Sequence, residues 1–371
     1  MIYLAALGAA VAAFFLAWLS TPVAGRIAVA TRFIDVPKQS RHHRKPTPLL
    51  GGSAMLVAIL MPSLLALALA SIWQGDVPGW VPEELRIHIG GAVAKAPAAL
   101  GILAGAVALH VVGLIDDRRR LGPWLKLIAQ LVVAAGVVTI CRIRLLEAEV
   151  GQPLSTAGSI LWIVLITNTF NFLDNVDGLA AGVAAICAAA LLAAAAASGQ
   201  MFVGAWLCLL IGAAAGFLVH NFPPAKIFMG DAGSMVLGYL LGVLSILTTY
   251  YHGGPSGYYY SIFAPLVLLA VPLYDTFSVL TLRIQERRNP MVGDTRHFSH
   301  RLLRRGMGPR KAVLTIYLAT AATATGASLL PHVDRTGAIL VFAQTVGIVL
   351  IIALLESAEG AGRGRSRPEP P

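Results

Sequence analysis

This sequence is short of charge. Only 12% of its 371 side chains are Asp, Glu, Lys or Arg, about half the share of a typical soluble domain, which excludes an ordinary water-solvated fold. Cysteine is scarce as well. Cys141, Cys187 and Cys208 lie in or at the ends of apolar runs with no metal-type spacing, so neither a disulfide framework nor a thiolate metal site is implied. The first apolar run, Met1 to Ser20, lacks a basic start and a convincing cleavage site before Thr21-Pro22. It is therefore expected to be a span and not a removable signal peptide.

Apolar runs of about twenty residues, the length a helix needs to cross a bilayer, recur from end to end instead. Eleven spans are predicted, at roughly 2–22, 51–72, 97–115, 125–141, 158–173, 179–198, 203–221, 233–251, 261–283, 311–330 and 337–355. The expected architecture is an all-α polytopic membrane protein with one integral-membrane domain over 1–355. A Gly-, Arg- and Pro-rich tail at 356–371 is expected to be disordered and cytoplasmic.

The net charge of +10 would suit nucleic acid, but its distribution argues for topology. With the amino terminus outside, Lys and Arg favour the inner loops by about four to one, notably at Arg26 to Lys45, Arg118 to Arg120, Lys226 and Arg283 to Lys311. By the positive-inside rule that side is cytoplasmic. No nucleic-acid partner is expected; the partner is the lipid bilayer.

Against this apolar background, Asn168-Thr169-Phe170-Asn171-Phe172-Leu173-Asp174-Asn175-Val176-Asp177-Gly178-Leu179 stands out. Ionisable groups beside a span are costly to dehydrate and mark a functional site. Asn168 and Asn171 sit three apart, as do Asp174 and Asp177, so a helix would put each pair on one face. The alternative is an Asn/Asp-rich turn between spans. Hard oxygen donors with carboxamides suit Mg²⁺ better than zinc.

Four more polar clusters interrupt the loops. Asp35 precedes the basic stretch Arg41-His42-His43-Arg44-Lys45, which suits lipid headgroups or an anionic ligand. Asp116 and Asp117 end the third span, with Lys126 and Gln130 following; adjacent carboxylates repel unless a cation or proton intervenes. Lys126 either snorkels to headgroup phosphates or points at a phosphate in a cleft. Lys226 precedes Gly230-Asp231-Ala232-Gly233-Ser234, a tight turn; a helix starting at Ser234 would offer free N–H groups to an anion, though Asp231 or Ser234 could equally be an amino-terminal cap. Finally, Asp294-Thr295-Arg296-His297-Phe298-Ser299-His300-Arg301 holds two imidazoles without a third zinc ligand nearby. His297 and His300 read better as donors to phosphate oxygens. Asp275, inside the ninth span, is either a hydrogen-bonded interior group or a site residue. All five clusters fall on the side assigned as cytoplasmic.

At these residues the chain closely resembles the polyprenyl-phosphate N-acetylhexosamine-1-phosphate transferases. Its Asp116-Asp117, Lys126 before Gln130, Asn168, Asn171, Asp174, Asp177, Gly178 and Leu179, Gly230 to Ser234, and His297, His300 and Arg301 match family motifs in order. It departs from that pattern at Asn175, where Gly is usual, and at Ser299, where another His is usual. The resemblance implies transfer of a sugar 1-phosphate, N-acetylhexosamine 1-phosphate first, from a UDP-sugar to undecaprenyl phosphate with release of UMP, in a multi-pass inner-membrane enzyme. It implies Mg²⁺, with Mn²⁺ as an alternative, and a homodimer as a candidate assembly. Catalytic roles are expected for Asp116, Asp117 and Asp231, and metal binding for Asp231, Asp117 and Asn171. Substrate binding is expected from Asp35, Lys126, Asn168, Asn171, Asp174, Asp177, Lys226, His297, His300 and Arg301.

Two other readings compete. The muropeptide translocase of peptidoglycan synthesis shares the motifs, but the spacing of His297 and His300 and the following Arg301-Leu302 look more like the GlcNAc branch. An ion-coupled transporter would carry acids near span midpoints and an internal repeat; here the acids sit at span ends.

Overall fold

The structure is a computed structural model that describes residues 2–35, 46–248, 259–287 and 297–357. Helix α1 (Ile2–Ala30) leads to two short antiparallel strands, β1 (Ile34–Asp35) and β2 (Thr47–Pro48), with Asp35 opposite Thr47. There follow α2 (Gly51–Ile72), α3 (Glu83–Arg119), α4 (Pro123–Ile140), the short α5 (Glu147–Val150), α6 (Gln152–Leu173), α7 (Leu179–Ala197), α8 (Met201–Asn221) and α9 (Asp231–Leu247). The chain continues with α10 (Ala264–Leu268), α11 (Ala270–Gln285), α12 (Phe298–Arg304), α13 (Pro309–Leu329) and α14 (Arg335–Ser357).

Among the described residues nine helices are long and apolar enough to cross a membrane, or ten if the pair bent by 66° around Leu269 is one span. Large apolar side chains such as Leu65, Val132, Leu161, Leu318 and Leu354 are exposed along them. In water such surface would aggregate; against acyl chains it is satisfied. The protein is a multi-pass helical membrane protein.

Each predicted span falls on a helix, but three differ in form. The span expected at 97–115 is the inner part of a 37-residue helix beginning at Glu83. Glu83 and Glu84 in its first turn and Arg118 and Arg119 in its last complement the helix dipole, so helix extends beyond the apolar run. The span expected at 261–283 is broken into α10 and α11. The span expected at 233–251 is the 17-residue α9 as far as Leu247, and its last residues, 249–251, lie outside the described residues.

Helix α9 shows why hydropathy alone misjudges it. Every residue from Ala232 to Ser245 is buried, because α9 is packed against α2, α3, α6, α7 and α8. A helix apolar on all sides is the pattern of a fully enclosed element; this one meets protein where a peripheral span meets lipid. Small residues permit the approach. A Cβ at Gly52 would lie 2.4 Å from the Gly233 Cα, and one at Gly113 2.4 Å from the Ala232 Cα. The helix at the centre of the bundle thus starts at Asp231, where the polar clusters converge.

Candidate active site

The turn before α9 is built around Gly230, whose φ of +71° favours glycine. A Cβ there would fall 2.5 Å from Asp117 Oδ2. Glycine has no side chain with which to cap the helix it precedes, and α3 supplies one. Asp117 Oδ1 accepts the Asp231 N–H (2.9 Å) and Oδ2 the Ala232 N–H (3.2 Å). Such caps contribute about 1 kcal/mol. The anion site expected at this helix start is therefore already filled by a carboxylate of the chain, and the helix begins at Asp231, not Ser234. Two turns earlier on α3, His110 Nδ1 donates to the Ala232 carbonyl (2.9 Å) while Nε2 faces the Ser53 hydroxyl (3.1 Å).

Asp116, next along α3, faces a cation. Lys126 Nζ, in the first turn of α4, lies 3.0 Å from Asp116 Oδ2 and 2.8 Å from Asp231 Oδ2. The ammonium thus bridges two carboxylates from separate helices, each part-buried. The second oxygen of Asp116, Oδ1, is buried without a hydrogen-bond partner among the described residues. An orphaned carboxylate oxygen is costly in a protein interior and suits a further cation or donor.

The Asn/Asp stretch forms the end of α6 and the loop into α7. Asn168 Nδ2 donates to Gln130 Oε1 (2.6 Å), joining α6 to α4. Asn171 Nδ2 donates to Ser234 Oγ (2.9 Å) on α9, one helical turn beyond Asp231. Asp177 Oδ2 accepts the Ala225 N–H (2.9 Å), and the Gly178 N–H donates to Asn221 Oδ1 (2.9 Å). Gly178 carries a φ of +74°. Its carbonyl accepts the Tyr317 hydroxyl at 2.5 Å. The acidic loop is thereby stitched to the turn after α8 and braced by α13. Burial, and then the charges of Asp231, Asp117 and Asp177, push the Asp174 carboxyl well above the ordinary carboxylate range.

The histidine cluster opens α12. His297 Nδ1 bonds Asp275 Oδ2 at 2.8 Å, and Asp275 Oδ1 accepts the Phe298 N–H at 2.6 Å. Asp275 is therefore a hydrogen-bonded interior group that holds a predicted site residue. The Phe172 ring, from the acidic stretch, lies 6.0 Å from the His297 ring and 5.9 Å from the Arg283 guanidinium. Ser299 donates to Asn175 Oδ1 at 2.5 Å.

The predicted residues meet at one end of the bundle. Asp116, Asp117, Lys126, Asn171 and Asp231 are linked directly or through Ser234; Asp174 lies within electrostatic reach of Asp231 and Asp117, and Asp177 within reach of Asp174. The turn that carries His297, His300 and Arg301 adjoins through the Phe172–His297 and Asn175–Ser299 contacts, and all three side chains are buried, His297 just ahead of α12 and the other two on it. Asn168 is drawn into its amide pair with Gln130. Asp35 sits on β1, whose partner β2 receives the Phe228 N–H at Pro48 (2.8 Å), just ahead of Asp231. Lys226 is exposed at the rim. The basic stretch Arg41 to Lys45, and Asp294 to Arg296, lie outside the described residues, as does the expected tail from 358.

Sequence reasoning missed His110, Arg283 and Tyr317. His110 had a signal: it is the lone ionisable group mid-run in α3, and with Gly113 and Asp117 it follows helical spacing on one face. Tyr317 had none, since its partner is a backbone carbonyl.

Among the described residues no group of three or more His, Cys, Asp or Glu side chains forms a ready metal cage. What the arrangement offers is a cluster of hard oxygen acceptors around one ammonium, with imidazoles and guanidinium groups alongside. That chemistry suits binding polyanionic phosphates together with cations.

A family profile described as "Glycosyl transferase family 4" matches residues 99–249, the stretch that carries Asp116 through Asp231. The chain is 31% identical over 309 residues to a probable undecaprenyl-phosphate N-acetylglucosaminyl 1-phosphate transferase of Bacillus subtilis, covering 80% of this chain and 77% of that one. It is 30% identical over 370 residues to a decaprenyl-phosphate N-acetylglucosaminephosphotransferase of Mycolicibacterium smegmatis, covering 92% and 86%. A phospho-N-acetylmuramoyl-pentapeptide-transferase of Halalkalibacterium halodurans is 32% identical, but over only 56% of this chain and 63% of its own length.

Proposed function

The chain belongs to glycosyl transferase family 4, among the polyprenyl-phosphate N-acetylglucosamine-1-phosphate transferases, and from that premise we propose that it transfers N-acetylhexosamine 1-phosphate from a UDP-sugar to undecaprenyl phosphate. An oxygen of the lipid phosphate bonds to the sugar-bearing phosphorus of the donor. The bond from that phosphorus to the bridging oxygen breaks, and UMP leaves with that oxygen. One observation carries the reading: Asp116, Asp117, Lys126 and Asp231, spread over more than a hundred residues of chain, share one hydrogen-bonded cluster.

Joining two phosphates concentrates about three negative charges in one cleft, so charge neutralisation and positioning dominate the catalysis. Lys126, already fixed between Asp116 and Asp231, contributes one positive charge without reorganising. His297, His300 and Arg301 bind the sugar phosphate of the donor. Asp174, Asp177 and Asn171 hold its nucleotide side. Asp116 orients the lipid phosphate or takes its remaining proton; that phosphate is largely ionised at neutral pH, so orientation matters more.

The residues fit a divalent cation, because Asp116 Oδ2 and Asp231 Oδ2 converge on a point where a cationic group already sits, and Asp116 Oδ1 is buried without a hydrogen-bond partner among the described residues. Asp231 and Asp116 would hold Mg²⁺ with Asn171 beside them. Asp117, engaged by two N–H groups, fits less well as the second carboxylate than the sequence pattern suggested. When bound, the ion supplies neutralisation of the diphosphate oxygens and a more stable leaving UMP.

Eleven membrane passages, counting α9 and the bent α10–α11 pair, would put the amino terminus outside and the site at the cytoplasmic face of the inner membrane. The basic loops support that orientation. The test is purified protein in detergent with Mg²⁺, undecaprenyl phosphate and a panel of UDP-sugars, read as UMP release. UDP-N-acetylglucosamine is expected to react. Release only with the UDP-muropeptide donor would reassign the chain to the translocase branch, and no release with any donor would sink the transferase reading.

A further inference from the structure

Asn175 and Ser299 are 124 residues apart in sequence and in contact through their side chains. Ser299 is buried in the first turn of α12, between His297 and His300. Its hydroxyl donates to Asn175 Oδ1 at 2.5 Å. The orientation of the Asn175 amide is not arbitrary, because its Nδ2 donates to the Phe172 carbonyl at 2.6 Å. That bond turns Oδ1 away from its own loop and toward α12. The side chain of Phe172 meanwhile packs 6.0 Å from the His297 ring. One short segment, 172–175, therefore touches the histidine turn through a ring and through an amide. The same segment carries Asp174, which faces the carboxylate cluster.

We propose that Asn175 and Ser299 are a positioning pair that fastens the histidine turn of α12 to the acidic loop, setting the spacing between the groups that hold the two ends of the donor. The proposal rests on the transfer reading for its consequence, donor affinity. Its physical content, a coupled contact between loop and turn, does not. The two residues are also the two places where the chain departs from the motif pattern it otherwise follows, and the structure shows that they meet. The hydrogen bonds of the two side chains go to each other and to the Phe172 carbonyl; the pair acts through His297 and His300 and through Asp174. Asp275 grips the same turn from α11, so loss of the pair should loosen the turn without unfolding it.

The experiment is a double-mutant cycle on the full chain in detergent: Asn175→Ala, Ser299→Ala and the double variant. Each single change is expected to raise KM for UDP-N-acetylglucosamine about three- to tenfold, the range one hydrogen bond gives. KM for undecaprenyl phosphate should stay within about twofold, a split that general destabilisation would not produce. Because the pair acts as a unit, the double variant should be no worse than the worse single. Amide hydrogen exchange across 297–304 should quicken in both singles and no further in the double. Effects that multiply in the double variant, KM values that rise together for both substrates, or unchanged exchange across 297–304 would each overturn the proposal. If the wild-type chain releases no UMP, the transfer reading fails, while the exchange cycle still decides whether the pair couples loop to turn. Should Ser299→Ala not fold, Ser299→Cys, near-isosteric and a weak donor, takes its place under the same criteria.

Discussion

Asp117 caps the helix that Asp231 begins. Its carboxylate, projecting from the end of α3, accepts the Asp231 and Ala232 N–H groups that Gly230 cannot satisfy. Two acids that look equivalent in sequence, Asp116 and Asp117, are thereby separated in role: one is tied to backbone, the other faces Lys126 and keeps an orphaned oxygen.

This separation predicts different failures at Asp117 and Asp231. Asp117→Asn puts an amide N–H₂ where an oxygen accepted an N–H, losing about 1 kcal/mol of capping. The melting temperature in detergent should fall by about 2–4 °C. Asp231→Asn leaves both capping bonds in place but should cut Mg²⁺-dependent UMP release about a hundredfold or more. Full turnover by Asp231→Asn would remove that residue from the metal site.

Lys126 predicts a link between stability and the metal. Lys126→Ala leaves Asp116 and Asp231 facing each other with no cation between them. The two bridges are part-exposed, with side chains 12–28% accessible, so solvent screening holds the loss well below that of a fully buried pair. Melting in millimolar Mg²⁺ should recover more stability in Lys126→Ala than Mg²⁺ adds to the wild type. An equal Mg²⁺ shift in the two proteins would place the ion elsewhere.

Asp174 predicts a pH dependence. Burial and the neighbouring acids raise its folded pKa, while the unfolded carboxyl titrates near its ordinary value of about 3.9. The folded state thus holds a proton that the unfolded state has lost, and this contribution to stability is fully present below about pH 3.9 and lost as pH rises through the folded pKa. Asp174→Asn, permanently neutral, should match wild type near pH 4 without metal and melt higher than wild type at pH 8. A variant no more stable than wild type at pH 8 would contradict the crowding of acids in this cluster.

Asp275 predicts a loss of donor binding from a residue outside the family motifs. Asp275→Asn can accept only one of its two N–H donors through an oxygen, leaving the Phe298 N–H or His297 facing an amide N–H₂. An unsatisfied buried donor costs about 1–3 kcal/mol, so kcat/KM for the UDP-sugar should drop by roughly tenfold or more. Wild-type kinetics in Asp275→Asn would show that His297 needs no carboxylate behind it.

Much of this was legible along the chain. The helices were, because a run of apolar residues long enough for a bilayer is a local property of sequence. The acidic loop, the Asp116-Asp117 pair and the histidine turn were too, because polar groups are conspicuous where everything else is apolar. Helix α9 was read as one span among eleven, although its surroundings are protein on every side; hydropathy cannot distinguish lipid from a neighbouring helix. The split between Asp116 and Asp117, the sealing of the expected anion site by Asp117, and the hold of Asp275 on His297 were invisible. Each depends on which backbone or side chain arrives from a helix far away in sequence.

Which groups are present, and that they are expensive to bury, follows from the order of residues alone, since composition and spacing set desolvation cost and helix periodicity locally. Which of them face one another is settled by the packing of the helices. Hydrogen bonds and ion pairs act over about 3 Å, and that distance between Lys126 and Asp231, or between Asn175 and Ser299, exists only once the bundle has closed around α9.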